Sequence, residues 1–128
     1  MKKIYIIEDN TEMLELMKMM LKEIECELYT FNNAKDALNN LSSNKPDLVL
    51  CDLLMPEYDG FKFLEDVKKN DKSRDVKIIV LSVVADNKII DNVMKLGADY
   101  FLPKPFRVME LIKTIKNLLG TNGNGKNN

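Results

Sequence analysis

The sequence predicts an α/β domain with a doubly wound, five-stranded parallel sheet covered by five helices. Short apolar runs alternate strictly with amphipathic segments, which is typical of parallel strands joined by helical crossovers. The runs are apolar at nearly every position, as expected for strands that are buried on both faces. A chain of 128 residues, 45% of them hydrophobic, is long enough for one domain with a sizeable core.

Each strand candidate is a short run of β-branched, aromatic or other apolar residues. The run at 4–7 is compact, and the run VKIIVL at 76–81 is the clearest. The run at 27–31 is weaker, and the run at 48–51 begins shortly after Pro46. The five strands are predicted at residues 4–7, 27–31, 48–51, 76–81 and 100–102.

Between the strands, apolar residues recur three or four positions apart, which is helical spacing. Asn10 or Thr11 is expected to cap the first helix, and the Asp59-Gly60 turn precedes the third. Gly97 is a good C-terminal stop for the fourth helix. The five helices are predicted around residues 13–24, 34–41, 61–67, 89–94 and 108–119.

Composition argues against several functional classes. The formal net charge of −1 gives no overall preference for nucleic acid or an anionic membrane. No apolar run approaches the ~18 residues of a membrane span, and the opening residues turn acidic too early for a signal peptide. Cys26 and Cys51 lack metal-type spacing, so we expect two buried free thiols in a reducing, cytoplasmic compartment. We expect a domain at 1–119 and a flexible Gly/Asn-rich tail or linker at 120–128.

Polar side chains follow four of the five strand candidates. Glu8 and Asp9 come after the first strand, Asp52 after the third, Ser82 after the fourth and Lys104 after the fifth. Nothing comparable follows the second strand, which suits an edge strand. Ligand sites in open parallel sheets lie at the carboxyl edge, where the strand order reverses. We therefore expect these side chains to converge there.

Each of these residues also has a purely structural interpretation. The two acids after the first strand suit a solvated loop at a helix N-terminus. Asp52 suits a turn cap before Pro56, and Ser82 suits a helix cap. Lys104, between two prolines, suits an exposed surface position. The placement of all of them at one sheet edge favours the functional interpretation.

The residue types indicate phosphoryl chemistry. Neighbouring carboxylates raise each other's pKa unless a cation lies between them, and hard oxygen ligands suit Mg²⁺ or Mn²⁺. A lysine and a hydroxyl suit a phosphoryl group. Neither GxxxxGK[ST] nor GxGxxG occurs, and the absence of His removes the usual general base. A carboxylate can itself accept a phosphoryl group, and Asp52 is the natural candidate.

Four stretches, IYIIEDN, LVLCDLLMPEYDG, IIVLS and GADYFLPKPF, resemble the receiver domain of bacterial two-component response regulators of the chemotaxis-regulator type. The resemblance covers about residues 3–119. It implies a flavodoxin-like fold with strand order 2-1-3-4-5, and transfer of a phosphoryl group to Asp52 from a histidine kinase or phosphotransfer protein. Such a domain is a signalling module that catalyses only its own phosphorylation and dephosphorylation, and the donor histidine lies on the partner.

The resemblance also implies the metal ligands. Asp9 resembles the acid that binds the metal directly, and Glu8 resembles its neighbour, which acts through water. Asp52 would be both a metal ligand and the phosphoacceptor. The backbone carbonyl of Leu54 would complete the protein ligands of Mg²⁺ or Mn²⁺.

Activation in this family implies further roles. Ser82 would follow a phosphoryl oxygen, Lys104 would pair with one, and Lys104-Pro105 resembles the family's cis peptide. Phe101 occupies the place of the aromatic switch residue, whose inward movement would change the face formed by the fourth helix, last strand and last helix. Four charged residues are expected to be exposed on this face: Lys88, Asp91, Lys95 and Lys113.

Three positions depart from the family pattern. Glu8 replaces the more frequent aspartate but keeps the charge. Phe101 replaces a frequent tyrosine, so no ring hydroxyl is available to a partner. Val83 replaces a small residue and, with Val84 beside it, would narrow the access of a hydrolytic water. We therefore expect a longer-lived phosphoryl group than in fast chemotaxis-type regulators.

The resemblance implies a downstream protein or output domain as a further partner, and it is compatible with a phosphorylation-dependent homodimer. No direct contact of this domain with nucleic acid or membrane is expected. A phosphorylation-independent interaction module on the same fold is the alternative, although such modules typically lose site residues. A Mg²⁺-dependent phosphatase with an aspartyl nucleophile would resemble a DxD pattern, whereas Leu53-Leu54 follow Asp52.

Overall fold

The computed structural model describes residues 1–120, which form one parallel sheet with helices on both faces. The strands are β1 (Lys2–Ile7), β2 (Cys26–Phe31), β3 (Leu48–Asp52), β4 (Lys77–Ser82) and β5 (Tyr100–Pro103). The helices are α1 (Thr11–Met20), α2 (Ala34–Asn40), α3 (Gly60–Lys69), α4 (Asn87–Lys95) and α5 (Val108–Leu119). The strand order is β2-β1-β3-β4-β5 with all neighbours parallel. The predicted fold class and strand order are confirmed.

Side chains alternate between the two faces of the sheet, and both faces are covered. In β1, Ile4 and Ile6 pack in the layer that contains α1 and α5. Tyr5 and Ile7 pack in the opposite layer, with α2, α3 and α4. Every residue of β3 is buried, which explains why the central strands are apolar at almost every position.

The first helix is shorter than predicted. It ends at Met20 and is followed by a 3₁₀ turn over Leu21–Glu23, in which the Ile24 N–H donates to the Leu21 carbonyl at 3.0 Å. Leu21 and Ile24 are nevertheless buried. The apolar pattern therefore continues from the α-helix into the 3₁₀ turn. The pattern alone could not distinguish these two kinds of helix. Of the two predicted caps, Asn10 is the residue that accepts from the Met13 N–H, at 2.8 Å.

Smaller differences occur at the strand ends. Asp52 and Ser82 are the last residues of β3 and β4. Val76 lies before β4, in a turn where its N–H donates to the Ser73 carbonyl at 3.0 Å. Gly97 follows α4 with φ at 112°, a conformation that suits the predicted helix stop.

The structure bears only in part on the predicted tail and on the prediction of two buried thiols. Gly120 caps α5 with φ at 71°, and the rest of the predicted tail at 120–128 lies outside the described residues. Cys51 is buried, whereas Cys26 is only half-buried, and both thiols are free. Within residues 1–120, no helix has the length and apolar character needed to cross a membrane.

Candidate phosphoacceptor and metal site

The fold brings the predicted site residues to the carboxyl edge of the sheet. Glu8 and Asp9 follow β1, and Asp52 ends the neighbouring strand β3. Ser82 ends β4, and Lys104 follows β5. The strand order reverses between β1 and β3, which is where open α/β sheets place their ligands. β2 lies at the edge of the sheet and contributes none of these residues, as predicted.

Three carboxylates form an acidic cluster at this edge. Glu8, Asp9 and Asp52 each offer a carboxylate oxygen, and these oxygens all lie within 4.8 Å of one another. Glu8 and Asp52 are buried, with 2% and 8% of their surface exposed, whereas Asp9 is exposed. The cluster therefore has two buried acids and one that faces solvent, from where a cation can enter.

Lys104 is paired with Glu8 rather than primarily with Asp52. Its Nζ lies 2.9 Å from Glu8 Oε1 and 3.6 Å from Asp52 Oδ1. The other Glu8 oxygen, Oε2, accepts a hydrogen bond from the Asn10 backbone N–H at 3.1 Å. Both oxygens of Glu8 thus have partners, and the Lys104 ammonium sits between the buried acids without fully neutralising them.

The environment of Asp52 disfavours its charged form. Burial is the largest cause; with the charges of Glu8 and Asp9, and against the opposing effect of Lys104, it raises the pKa of Asp52 to about 6. A hydrogen bond from the Leu54 backbone acts in the opposite direction, toward a lower pKa. A cation placed among the three carboxylates would remove the repulsion and favour the charged carboxylate.

Ser82 is fully buried at the end of β4. Its Oγ accepts a hydrogen bond from the Val84 N–H at 3.1 Å, and its carbonyl accepts one from the Lys104 N–H at 2.8 Å. Because Oγ is the acceptor in the first of these bonds, its own proton remains available as a donor. The second bond ties the backbone of Lys104 to β4.

Phe101 is buried in the core layer that contains α4, with 9% of its surface exposed. The ring therefore already lies inside the protein in this structure, whereas the resemblance implied an inward movement upon activation. The Lys104-Pro105 peptide bond is cis, as the resemblance implied.

An apolar rim surrounds the acids, and the sequence predicted only its Val83 side. Met13, Leu16 and Val83 line the same depression as the acidic cluster and Lys104. Leu16 and Val83 are 44% and 70% exposed. Leu16 and Met17 both belong to the apolar spacing that predicts the helix around residues 13–24, yet only Met17 is fully buried. On a helical projection, Leu16 lies at the margin of the apolar face, whereas Met17 lies near its centre. This position is the signal that could have separated the two residues.

The raised pKa of Asp52 makes a prediction about stability in the absence of divalent cations. The folded protein holds the proton of the Asp52 carboxyl more tightly than the unfolded chain does. The contribution of this carboxyl to the free energy of unfolding should therefore be greatest below about pH 4. It should fall by about 3 kcal/mol as the pH rises from about 4 to above 6. Urea unfolding of wild type and Asp52→Asn in EDTA, at pH 5 and pH 7, measures this effect.

The Asp52→Asn variant serves to isolate one group, because other residues also titrate between these pH values. We expect the variant to gain stability relative to wild type at pH 7 and to gain about half as much at pH 5, because the unfolded carboxyl is already ionised at pH 5. An equal difference between the two proteins at both pH values would contradict the assignment of the effect to Asp52.

The sequence matches a known family and several known proteins. It matches the family described as response regulator receiver domain over residues 4–116. It is 34% identical over 130 residues to the transcriptional regulatory protein CpxR homolog of Haemophilus influenzae. It is 31% identical over 118 residues to the cyclic di-GMP phosphodiesterase response regulator RpfG of Xanthomonas campestris pv. campestris. These alignments cover 100% and 91% of this chain but only 55% and 31% of the two relatives.

Solved structures show the same architecture. The signal receiver domain of a DNA-binding response regulator from Colwellia psychrerythraea superposes with a TM-score of 0.87 at 28% identity, covering 94% of this chain and 99% of that one. The family match spans most of the chain, and the structure brings its acids and lysine together at one sheet edge. The chain therefore belongs to the response regulator receiver domains of two-component systems.

Proposed function

We propose that this domain accepts a phosphoryl group on Asp52 from the phosphohistidine of a histidine kinase or phosphotransfer protein, with Mg²⁺ or Mn²⁺ as cofactor. The observation that carries the proposal is the convergence of Glu8, Asp9, Asp52 and Lys104 at the switch point of the sheet. Lys104 neutralises the three carboxylates only in part, so they favour a bound cation. The ammonium of Lys104 also suits a phosphoryl oxygen.

The acidic cluster fits a divalent cation. Three carboxylate oxygens within 4.8 Å of one another match the hard oxygen ligands that Mg²⁺ prefers. Asp9 and Asp52 would bind the ion directly, Glu8 would act through water, and the Leu54 carbonyl would complete the protein ligands. The ion would supply positive charge that offsets the charge on the transferred phosphoryl group and on the acids.

In the transfer, an oxygen of the Asp52 carboxylate attacks the phosphorus atom and forms an acyl phosphate. The P–N bond to the donor imidazole breaks, and its electron pair stays on the imidazole nitrogen, which takes up a proton from solvent. Lys104 Nζ lies 3.6 Å from Asp52 Oδ1 and places a positive charge beside the group that arrives. The domain accepts a phosphoryl group in this way but acts on no substrate other than itself.

Phosphorylation would shift the domain between two packings. The Ser82 hydroxyl can donate to a phosphoryl oxygen while it still accepts from the Val84 N–H. Phe101 is already buried, so we place the first movement in the loop that joins β4 to α4. The change would reach the face formed by α4, β5 and α5. The predicted charges on this face are all exposed: Lys88, Asp91, Lys95 and Lys113.

We propose a cytoplasmic domain at 1–119 that acts through a downstream protein or an output domain, with phosphorylation-dependent homodimerisation as one mode of action. The chain spans about half or less of the length of its curated relatives, so their activities are not transferred to it. The domain itself is proposed to contact neither nucleic acid nor membrane.

The test is the intact mass of the protein after incubation with acetyl phosphate, with and without Mg²⁺, beside an Asp52→Asn control. We expect a Mg²⁺-dependent gain of one phosphoryl group that the control lacks. No gain in wild type, repeated with phosphoramidate and with a beryllofluoride binding assay, would instead support a phosphorylation-independent interaction module.

Val83 is predicted to prolong the life of the acyl phosphate. Its side chain is 70% exposed and lines the depression that holds Asp52 and Lys104, where a hydrolytic water must approach. Val83→Ala should speed the loss of the phosphoryl group by about 2–5-fold, which corresponds to up to about 1 kcal/mol in the barrier. Intact mass followed over time after removal of the donor measures the rate.

Val108→Ala is the matched control, because Val108 is also exposed but does not line this depression. The control should decay like wild type. Decay of the Val83→Ala phosphoprotein at the wild-type rate, or more slowly, would show that Val83 does not restrict the water.

A further inference from the structure

The loop at residues 53–59 connects the phosphoacceptor strand to α3 and is held at both ends. The Leu53 N–H donates to the Leu81 carbonyl at 2.9 Å, and the Gly60 N–H donates to the Leu53 carbonyl at 2.8 Å. Between these anchors, Leu54 is 47% exposed. Its carbonyl is the proposed backbone ligand of the metal. The position of this loop therefore bears directly on the proposed site.

The middle of the loop has a backbone conformation that is unfavourable for its residue. Glu57 has a φ of 65°, in the left-handed region where a side chain with a Cβ is strained. Pro56 and Glu57 are exposed, so burial does not hold them. Met55, just before them, is buried in the core and holds the first half of the loop, so the second half needs a contact of its own.

Tyr58 supplies that contact. Its hydroxyl donates a hydrogen bond to Oδ2 of Asp66, which lies on α3. The other Asp66 oxygen, Oδ1, lies 3.3 Å from Lys62 Nζ. The Lys35 ammonium on α2 lies 5.1 Å from the centre of the Tyr58 ring, and the ring packs against the core. The far end of the loop is thus attached to both α2 and α3.

The Tyr58–Asp66 hydrogen bond is of the strong, charge-assisted kind. It is the largest cause that lowers the pKa of Asp66, so the acceptor is a carboxylate at neutral pH. Burial and the Asp66 carboxylate raise the pKa of Tyr58, so the donor keeps its proton. Donor and acceptor therefore remain in the correct protonation states throughout the neutral range.

We propose that Tyr58 is a positioning residue for the metal site: its contact with Asp66 holds the 53–59 loop in the conformation that presents the Leu54 carbonyl to Mg²⁺. The inference rests on the proposed function. A loop that is ordered before the ion arrives loses less conformational freedom on binding, and the affinity is correspondingly higher. Partners in an outer shell around metal ligands commonly affect affinity in this way.

The test compares Tyr58→Phe with wild type by calorimetric titration with Mg²⁺. Phenylalanine keeps the ring and its packing but removes the hydroxyl. We expect the dissociation constant for Mg²⁺ to rise about 3–10-fold. Asp66→Asn, which retains a neutral acceptor for the same hydroxyl, should show a smaller rise in the same direction.

Tyr29→Phe is a matched control on the edge strand. The Tyr29 hydroxyl also donates to a carboxylate, Glu27 Oε1 at 3.0 Å, but both residues lie on β2, which contributes no residue to the acidic cluster. This variant should bind Mg²⁺ like wild type. Amide hydrogen exchange of the metal-free proteins gives a second readout, and residues 54–59 should exchange faster in Tyr58→Phe only.

The outcomes separate this inference from the proposed function. Weaker Mg²⁺ binding together with faster loop exchange in Tyr58→Phe supports the positioning role. Equal Mg²⁺ affinity in wild type and Tyr58→Phe overturns it, whatever happens to thermal stability, and leaves the proposed metal site intact. If wild type itself fails to bind Mg²⁺ at millimolar concentration, the metal site and the positioning role are both overturned.

Discussion

Replacement of Lys104 by methionine is expected to destabilise the metal-free protein by about 3 kcal/mol at neutral pH. The Lys104 and Glu8 side chains are only 13% and 3% exposed, and their charged atoms are 2.9 Å apart. Methionine retains most of the aliphatic stem but leaves the buried Glu8 carboxylate without its cation. Urea unfolding in EDTA at pH 7 measures the loss.

A second substitution distinguishes the lost charge from lost packing. Glu8→Gln in the Lys104→Met background removes the uncompensated charge and should restore most of the lost stability. Mg²⁺ should also stabilise Lys104→Met more than wild type, since it supplies the missing positive charge among the acids.

A surface pair provides the control for this experiment. Lys18 and Glu15 lie 3.2 Å apart with side chains 42% and 62% exposed, and Lys18→Met should change stability by about 0.5 kcal/mol or less. Equal effects of Lys104→Met and Lys18→Met would mean that the Lys104–Glu8 pair is as well solvated as a surface ion pair.

Gly60→Ala is expected to destabilise the domain by about 3 kcal/mol and to weaken phosphorylation. A Cβ at Gly60 would lie 2.8 Å from Leu53 Cα and 2.9 Å from the Asp52 carbonyl oxygen. Both of these are backbone atoms at the end of the central strand, so no side chain can rotate away. Relief of the clash must displace the strand end that carries Asp52, the proposed phosphoacceptor.

Gly120→Ala is the control that distinguishes a steric clash from the cost of an unfavourable backbone conformation. Gly120 has a positive φ of 71°, but a Cβ there would meet nothing within 4 Å. Its replacement should cost about 1 kcal/mol through backbone conformation alone, and phosphorylation should be unaffected. Thermal unfolding and the acetyl phosphate reaction measure both variants. A Gly60→Ala protein no less stable than Gly120→Ala would contradict the steric argument.

Some properties of this protein were predictable because they depend on local patterns. The apolar run of β3 predicts a strand that is buried on both faces, since a parallel sheet covered by helices leaves no polar side. The acids after β1, the acid that ends β3 and the lysine after β5 were predicted to converge because the carboxyl ends of parallel strands share one edge.

Other predictions failed at the level of individual side chains. The apolar spacing that predicts the first helix includes Leu16, although its side chain lies 44% exposed beside the acidic cluster. The segment up to Ile24 keeps a helical apolar pattern although its backbone becomes a 3₁₀ turn. Spacing determines which side chains face the core, but it is too coarse to locate the point where a backbone hydrogen-bond pattern changes.

Local periodicity encodes burial and strand direction, so it was sufficient to predict the architecture, the sheet edge of the candidate site and the acids and lysine that meet there. Tertiary packing, by contrast, places Lys104 closer to Glu8, 96 residues away, than to Asp52. It likewise decided that Phe101 already lies inside and that Tyr58 binds Asp66. Such pairings depend on distances of a few ångströms between side chains on different elements, and these distances are set by packing rather than by spacing along the chain.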